Sequence, residues 1–304
     1  MVTNNQQRIS FYDQISSNKI KSFFLIIIVF LVLFALVFVI GYALQFDIFI
    51  VLTIASLFSI FYVWIVYYNS AQIALASVNA KPANRSQYPN FYNSVEGLTL
   101  ASGMPMPKLY VMENPEINAF ASGRDPKNAV ICVTTGALNK LDRQELEGVL
   151  AHELSHIANY DIRFMTLVAV LVGMIAIISQ IFLRSLWYGG KSSSDDSKGN
   201  AILMLIGIIL AILAPIVVQL VQLAISRKRE YVADASAVKF IRSPTGLIGA
   251  LKKIKNEHVP MQETQKINKA VAPLFFGDPF KKNLDNLMST HPPLNKRIEL
   301  LERM

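Results

Sequence analysis

The segment EGVLAHELSHIANYD, residues 147–161, holds two histidines four residues apart with a glutamate directly after the first. On a helix, positions i and i+4 lie on one face, so His152 and His156 can present both imidazoles to a single ion. Glu153 then lies beside that ion, where a carboxylate can act as a base toward water. The spacing therefore predicts a metal centre that carries out hydrolysis.

Zinc suits this pattern because it takes nitrogen and oxygen ligands tetrahedrally and lowers the pKa of bound water toward about 7. A catalytic zinc site needs a third protein ligand, and REYVADASA offers Glu230 and Asp234, again four residues apart. We predict that Glu230 is that ligand and that Asp234 accepts a hydrogen bond from a ligating histidine ring. The ordinary alternative is a solvated acidic pair on a helix surface.

STHPPLNKRI contains two further candidates, His291 and Arg297. His291 could donate a hydrogen bond to a developing oxyanion or occupy the open coordination position in a resting state, and a capping or packing role fits its spacing equally well. Arg297 could supply positive charge to the same oxyanion. His258 has no comparable company and is predicted to be a surface residue.

The elements that must position these residues are partly embedded in a membrane. The chain has 304 residues, of which 53% are hydrophobic and 16% charged. A membrane span takes about 20 apolar residues in a helix. Four windows free of charged residues qualify, namely Phe23–Leu44, Ile48–Tyr68, Phe164–Leu183 and Asn200–Ser226.

Arg8, Lys19 and Lys21 precede the first window, whereas the turn after it carries no Lys or Arg, so the positive-inside bias places the N-terminus in the cytoplasm. We predict a cytoplasmic N-terminal segment at residues 1–22 and a first transmembrane hairpin at 23–68. The first catalytic part, with the zinc helix, is predicted at 69–163. A second hairpin follows at 164–226, transmembrane or partly packed at the membrane, and the second catalytic part, with the third ligand, at 227–304.

The two soluble parts predict a mixed fold. KLYVM and NAVICVTT have the composition of strands, and a helix is expected to begin at Asp142, which can form a capping box with Glu145. RKREYVADASAVKFI, PTGLIGALKKIK and PLNKRIELLERM read as further helices. The single cysteine, Cys132, excludes an internal disulfide and is predicted to be a buried small side chain rather than a nucleophile. The net charge of +8 favours anionic lipid headgroups over nucleic acid as partners.

Five segments in this order resemble the HtpX family of membrane zinc metalloproteases, which is related to the CAAX prenyl proteases and the Oma-type proteases. They are EINAFASG, VTTGALNKL, VLAHELSHIANYD, SRKREYVADASA and STHPPLNKRIELL. The likeness spans nearly the whole chain and is far more specific than the zinc motif alone.

The four apolar windows predict an α-rich membrane protein with four transmembrane helices, and the resemblance implies a cytoplasmic α+β, zincin-like protease domain containing a small β-sheet. It implies one Zn²⁺ held by His152, His156 and Glu230, with Glu153 as catalytic acid and base. A cleft edge formed by Asn118, Ala119, Phe120 and Ala121 would bind extended peptides by strand addition.

The activity that the resemblance implies is that of a bacterial plasma-membrane endopeptidase. It would cleave damaged or misfolded membrane proteins or their peptides in quality control, with the lipid bilayer and other membrane quality-control proteases as partners. The competing hypothesis is a non-catalytic zinc-binding membrane scaffold or chaperone. A structural zinc site is usually closed by four protein ligands, however, which would leave Glu153 without a task.

Overall fold

The computed structural model describes residues 11–43, 46–169, 171, 207, 227–257, 274–276 and 292–304. Two long helices come first, α1 at Phe11–Ala43 and α2 at Ile48–Ser77. They pack against each other as a hairpin, and the Asp47 side chain caps α2 by accepting hydrogen bonds from the backbone N–H groups of Phe49 and Ile50.

This hairpin has the dimensions and the surface of a membrane pair. Ile15–Phe38 and Ile48–Ser77 are both long and apolar enough to cross a bilayer. Only 22% and 17% of their most apolar windows are buried inside the protein, whereas the core helix of a soluble protein would be mostly buried. Two of the four predicted spans are therefore candidate membrane helices. The other two, 164–183 and 200–226, lie largely outside the described residues.

Both helices extend beyond the predicted windows. α1 begins before the predicted window, and in this earlier part the side chains of Asn18 and Ser22 are buried. α2 runs on to Ser77, because its last turns pack against the sheet described next.

A four-stranded mixed sheet has the order β1-β2-β4-β3. β2 and β4 are parallel, β1 pairs antiparallel with β2, and β3 pairs antiparallel with β4, so β3 forms one edge. β2 and β4 confirm the two predicted strands. The strands are β1 at Lys81–Pro82, β2 at Lys108–Met112, β3 at Ala119–Gly123 and β4 at Ala129–Thr134.

Within the part of the chain that the structure describes, six more named helices accompany the sheet, and the four that were predicted from sequence are confirmed. In chain order the six are α3 at Pro89–Ser102, α4 at Thr135–Lys140, α5 at Arg143–Ala158, α6 at Arg227–Ile241, α7 at Thr245–Asn256 and α8 at Leu294–Leu301. A short 3-10 turn, Pro126–Asn128, joins β3 to β4, and residues 161–169 are helical.

The sheet separates two hydrophobic cores, because successive side chains of a strand point to opposite faces. Val111 and Ile131 face the core shared with α5, α6 and α7. Phe120 and Cys132 face the second core, to which α2 contributes the buried residues Ala74, Leu75 and Val78. Cys132 is fully buried, as predicted, and burial raises the pKa of its thiol.

α5 is the central helix of the protease part and is buried along almost its whole length. α7 lies in backbone contact with it at two glycines. A Cβ atom on Gly148 would lie 2.5 Å from the backbone nitrogen of Leu247, and one on Gly246 would lie 2.1 Å from the carbonyl oxygen of Gln144. The close packing leaves α5 little freedom to shift, which fixes the side chains that it carries.

Candidate active site

α5 begins with the predicted capping box. The Asp142 carboxylate accepts a hydrogen bond from the Glu145 backbone N–H at 2.9 Å, and the Glu145 carboxylate accepts one from the Asp142 N–H at 2.8 Å. Such a box satisfies two of the backbone donors that a helix start leaves unpaired. It thereby sets the register in which His152 and His156, two turns further along, project from one face of the helix.

His152, His156 and Glu230 converge on one buried point. The two Nε2 atoms of the histidines lie 3.1 Å apart. One carboxylate oxygen of Glu230, on α6, lies 3.6 Å from Nε2 of His152, and the other lies 3.6 Å from Nε2 of His156. All three side chains are at most 5% exposed. Helices from distant parts of the sequence thus bring together the predicted ligand set.

These distances fit a tetrahedral metal ion. Ligand bonds of about 2.0–2.1 Å at tetrahedral angles separate two donor atoms by about 3.3 Å. The observed separations of 3.1 and 3.6 Å lie on either side of that value. Two imidazole nitrogens and one carboxylate oxygen are also the donor types of a catalytic zinc site. The residues present therefore fit the metal that their spacing predicts.

Each histidine is oriented by a carboxylate on its other ring nitrogen. Nδ1 of His152 lies 2.9 Å from Asp234, and Nδ1 of His156 lies 3.0 Å from Asp161. Because a carboxylate only accepts hydrogen bonds, each Nδ1 is the donor, and each Nε2 lone pair is left to face the shared point. Asp234 has the position that was predicted for it. Asp161 was within the quoted motif but received no role there.

Further residues hold these two carboxylates. Arg297, on α8, donates to both oxygens of Asp234 at 2.8 and 2.6 Å, while Asn18, on α1, donates to Asp161 at 2.7 Å. We name His152, Asp234 and Arg297 the His152 arm, and His156, Asp161 and Asn18 the His156 arm. All six side chains are at most 5% exposed.

The electrostatics of the His152 arm favour positive charge. Burial lowers the pKa of His152, but hydrogen bonds to Asp234 and Glu230 outweigh it and raise the pKa to about 9. Burial also acts to raise the pKa of Asp234, and the guanidinium of Arg297 overcomes this and holds it below its usual range. Asp234 therefore stays ionised, and its negative charge favours a cation on the Nε2 side of the His152 ring.

Glu153 lies on α5 between the two histidines and is 1% exposed. Burial raises the pKa of its carboxyl, opposed by the positive charge of the neighbouring histidines and by a hydrogen bond from the backbone N–H of Ala121. Its Oε1 atom has no hydrogen-bond partner among the described residues. A buried carboxylate with one spare oxygen beside a cation site is placed to exchange a proton with water.

The predicted cleft edge lies in and just before β3, and its residues Asn118 to Ala121 are buried. Part of this edge is already paired. The Phe276 N–H donates to the carbonyl of Ala119 at 2.8 Å, and Phe275 forms an antiparallel bridge with Phe120. The Phe276 ring also stands edge-on to His152, with centroids 4.8 Å apart. Phe275 and Phe276 thus lie along this edge, and the Phe276 ring contacts the metal ligand His152.

The structure brings together all the predicted site residues that it describes. Arg297 lies behind His152, with its Nη1 atom 3.6 Å from Glu230. His291 and His258 lie outside the described residues. Sequence reasoning missed Asp161, Asn18 and Phe276. Only Asp161 carried a signal, as an acid close after the second histidine on the same quoted motif.

Comparison with known proteins agrees with this site. A family model described as Peptidase family M48 matches residues 86–304. A Protease HtpX homolog of Caldanaerobacter subterraneus subsp. tengcongensis is 44% identical over 296 residues, which cover 96% of this chain and 97% of that protein. A homolog from Thermoanaerobacter pseudethanolicus is 46% identical over 256 residues, covering 83% and 84% of the two chains. One from Listeria monocytogenes is 40% identical over 305 residues, covering 96% and 99%.

Among solved structures, the crystal structure of S. mikatae Ste24p matches 94% of this chain and 65% of that chain, with 20% identity and a TM-score of 0.47. The family model covers well over half of the chain, and the relatives align along nearly all of it. The chain therefore belongs to peptidase family M48, among the HtpX-like membrane metalloproteases.

Proposed function

We propose that this metalloprotease is a zinc-dependent endopeptidase that cleaves damaged or misfolded membrane proteins. The observation that carries the proposal is the convergence of His152, His156 and Glu230 with donor separations of 3.1–3.6 Å, directly beside the spare oxygen of Glu153. One Zn²⁺ per chain would be held by these three residues.

When bound, zinc supplies Lewis-acid polarisation of the scissile carbonyl and lowers the pKa of water. Glu153 takes the proton from the attacking water and later delivers it to the leaving amine. Its raised pKa favours the first of these steps, because a carboxylate with a higher pKa is a stronger base toward water. Arg297 and His291 are assigned to stabilising the developing oxyanion.

Substrate is proposed to bind as a strand along β3, at Asn118, Ala119, Phe120 and Ala121. In support, the backbone of Phe275 and Phe276 already pairs with this edge in the structure itself. Recognition through main-chain hydrogen bonds places little demand on the substrate's side chains. It therefore suits an enzyme whose substrates share an unfolded state rather than a sequence.

The membrane arrangement is proposed as four spans, with residues 23–68 and 164–226 as the two hairpins. The segments 1–22, 69–163 and 227–304 would then lie in the cytoplasm of a bacterial cell, at the plasma membrane. The basic residues ahead of the first apolar window, Arg8, Lys19 and Lys21, support this orientation. A site beside the membrane favours substrates that are themselves embedded or tethered there, which supports a role in membrane-protein quality control alongside other proteases.

The test is Glu153→Gln in the full-length protein purified in detergent. We expect one zinc per chain to remain bound while cleavage of an unfolded membrane protein disappears, because the ligands are intact and the base is lost. The matched control is Glu147→Gln, on the same helix, whose carboxylate pairs with Arg143 and Ser94 instead. Cleavage by the Glu153 variant at the control's rate would refute the assignment.

A further inference from the structure

Asn18 is an unusual residue for its position on α1. It belongs to the apolar stretch Ile15–Phe38, a candidate membrane span, yet its side chain is only 2% exposed. Its amide nitrogen donates two hydrogen bonds, to the Asp161 carboxylate at 2.7 Å and to the carbonyl of Asn159 at 3.0 Å. Both acceptors lie more than 140 residues later in the sequence. The first helix of the protein is thus bonded to the turn that follows α5.

The Asp161 carboxylate connects Asn18 to the metal ligand His156. One of its oxygens accepts from Asn18, and the other lies 3.0 Å from Nδ1 of His156. Since Asn18 also bonds the backbone of the turn, it fixes the carboxylate relative to α5 and not merely relative to α1. The direction in which Nε2 of His156 points is therefore set through Asp161 by a residue of the membrane hairpin.

The turn itself needs such support. Tyr160 has φ of 59°, in the left-handed region that is costly for a bulky side chain. Lys19, next to Asn18, places its ammonium 4.5 Å from the centre of the Tyr160 ring. Two consecutive residues of α1 thus hold the backbone that presents Asp161.

We propose that Asn18 is a positioning residue for the metal centre, acting through Asp161 on His156. The inference rests on the zinc site of the proposed function. It makes the membrane hairpin a part of the centre rather than only an anchor, because the hairpin supplies the last member of the His156 arm. Outer hydrogen-bond partners of metal ligands typically contribute about 10- to 100-fold to metal affinity.

The variant that tests this is Asn18→Leu, which keeps the volume and removes the amide donors. The matched control is Ser22→Ala, one turn along the same helix. Ser22 is also buried, but its hydroxyl bonds only the carbonyl of Asn18 within α1. Zinc dissociation constants are measured on the full-length protein in detergent against a fluorescent chelator. Asn18→Ala provides a second removal of the amide should the leucine variant fail to fold.

We expect the Asn18 variant to bind zinc about 10-fold more weakly and the Ser22 variant to match the wild type. In the Asp161→Asn background the same Asn18 change should have almost no further effect, because residues that act through one another are not additive. In zinc-free protein, amide hydrogen exchange at residues 155–163 should speed up in the Asn18 variant alone.

Unchanged zinc affinity in the Asn18 variant would overturn the inference. An equal loss in the Asp161→Asn background would do so too, since Asn18 would then act independently of Asp161. A wild-type protein that binds no zinc would overturn the proposed metal centre itself, which is a different result from a wild type that binds zinc and an Asn18 variant that binds it equally well.

Discussion

The two histidine arms reach the same geometry by different means. In the His152 arm, Asp234 is held by the buried guanidinium of Arg297, which donates to both carboxylate oxygens. In the His156 arm, Asp161 is held by the neutral amide of Asn18, with the Nε atom of Arg229 farther away, at 3.9 Å. One arm is closed by the last helix of the chain and the other by the first.

This difference separates two tasks. A charged clamp keeps Asp234 ionised in a dry environment, so the His152 arm sets the electrostatics of the centre. The Asn18 amide contributes direction without a charge of its own, and the Arg229 guanidinium lies farther off at 3.9 Å, so the His156 arm chiefly sets geometry and ties it to the hairpin. The predictions below test whether the arms differ in this way, beginning with the largest expected effect.

Arg297→Met should lower the free energy of unfolding of the zinc-free protein by about 3–5 kcal/mol, because it removes the guanidinium from a buried ion pair and leaves the Asp234 carboxylate paired with His152 alone among the described residues. Urea unfolding monitored by circular dichroism measures this. The control is Lys296→Met on the same helix, whose side chain is 51% exposed and pairs with Glu299 at the surface. Equal loss in the two variants would contradict a charged clamp.

Asp234→Asn and Asp161→Asn should each weaken zinc binding about 10- to 100-fold, since both remove the carboxylate that orients a ligating ring. We expect the Asp234 variant to be the weaker binder, because it removes negative charge that attracts the metal and also leaves Arg297 without its partner. Chelator competition gives both constants. If the Asp161 variant bound zinc more weakly than the Asp234 variant, the division of tasks between the two arms would be reversed.

The stability of the zinc-free protein should fall as the pH rises from 6.5 to about 9. Folding raises the pKa of His152 from 6.5 to about 9, so protonated His152 stabilises the fold fully below pH 6.5, and that stabilisation is lost as the pH passes through the folded value. Denaturation at a series of pH values measures the slope. Asp234→Asn should flatten it, because hydrogen bonding to Asp234 raises this pKa. A flat wild-type profile would contradict the electrostatic account.

Lys19→Met should have the smallest effect, at most about 1 kcal/mol, because it removes only an exposed cation–π contact with Tyr160. The expected readout is faster amide exchange in the turn at residues 159–161. Lys21→Met, also on the exposed surface of α1, is the control. If exchange in this turn became as fast as in the Asn18 variant, the charge of Lys19 and not the amide of Asn18 would hold the His156 arm.

The sequence predicted the parts of the centre that obey local rules. The spacing of His152 and His156, the cap at Asp142 and the acid pair after the last apolar window all depend on helix geometry, and all are found in the structure. The strands KLYVM and AVICVT were also recognisable from composition, because β-branched and aromatic residues dominate them.

The missed features depend on pairing between distant segments. Asn18 and Asp161 are ordinary polar residues until the fold brings them together, and no periodicity marks a segment such as Leu274–Phe276 that joins an edge strand. α3 did carry overlooked local signals, with Pro89 in its first turn and Gly103 at its C-cap with φ of 70°. The predicted division also assigned residues 1–22 to a cytoplasmic N-terminal segment, although α1 already begins at Phe11.

The second core of the sheet has a practical consequence for anyone who handles the enzyme. Phe120 and Cys132 are covered by the end of α2, so this face of the sheet would be uncovered without the hairpin. A fragment cut free after Val78 would expose this apolar surface to water and would also lack Asn18. We expect such a fragment to aggregate rather than behave as a soluble protease, because the hairpin forms part of the hydrophobic core of the protease domain.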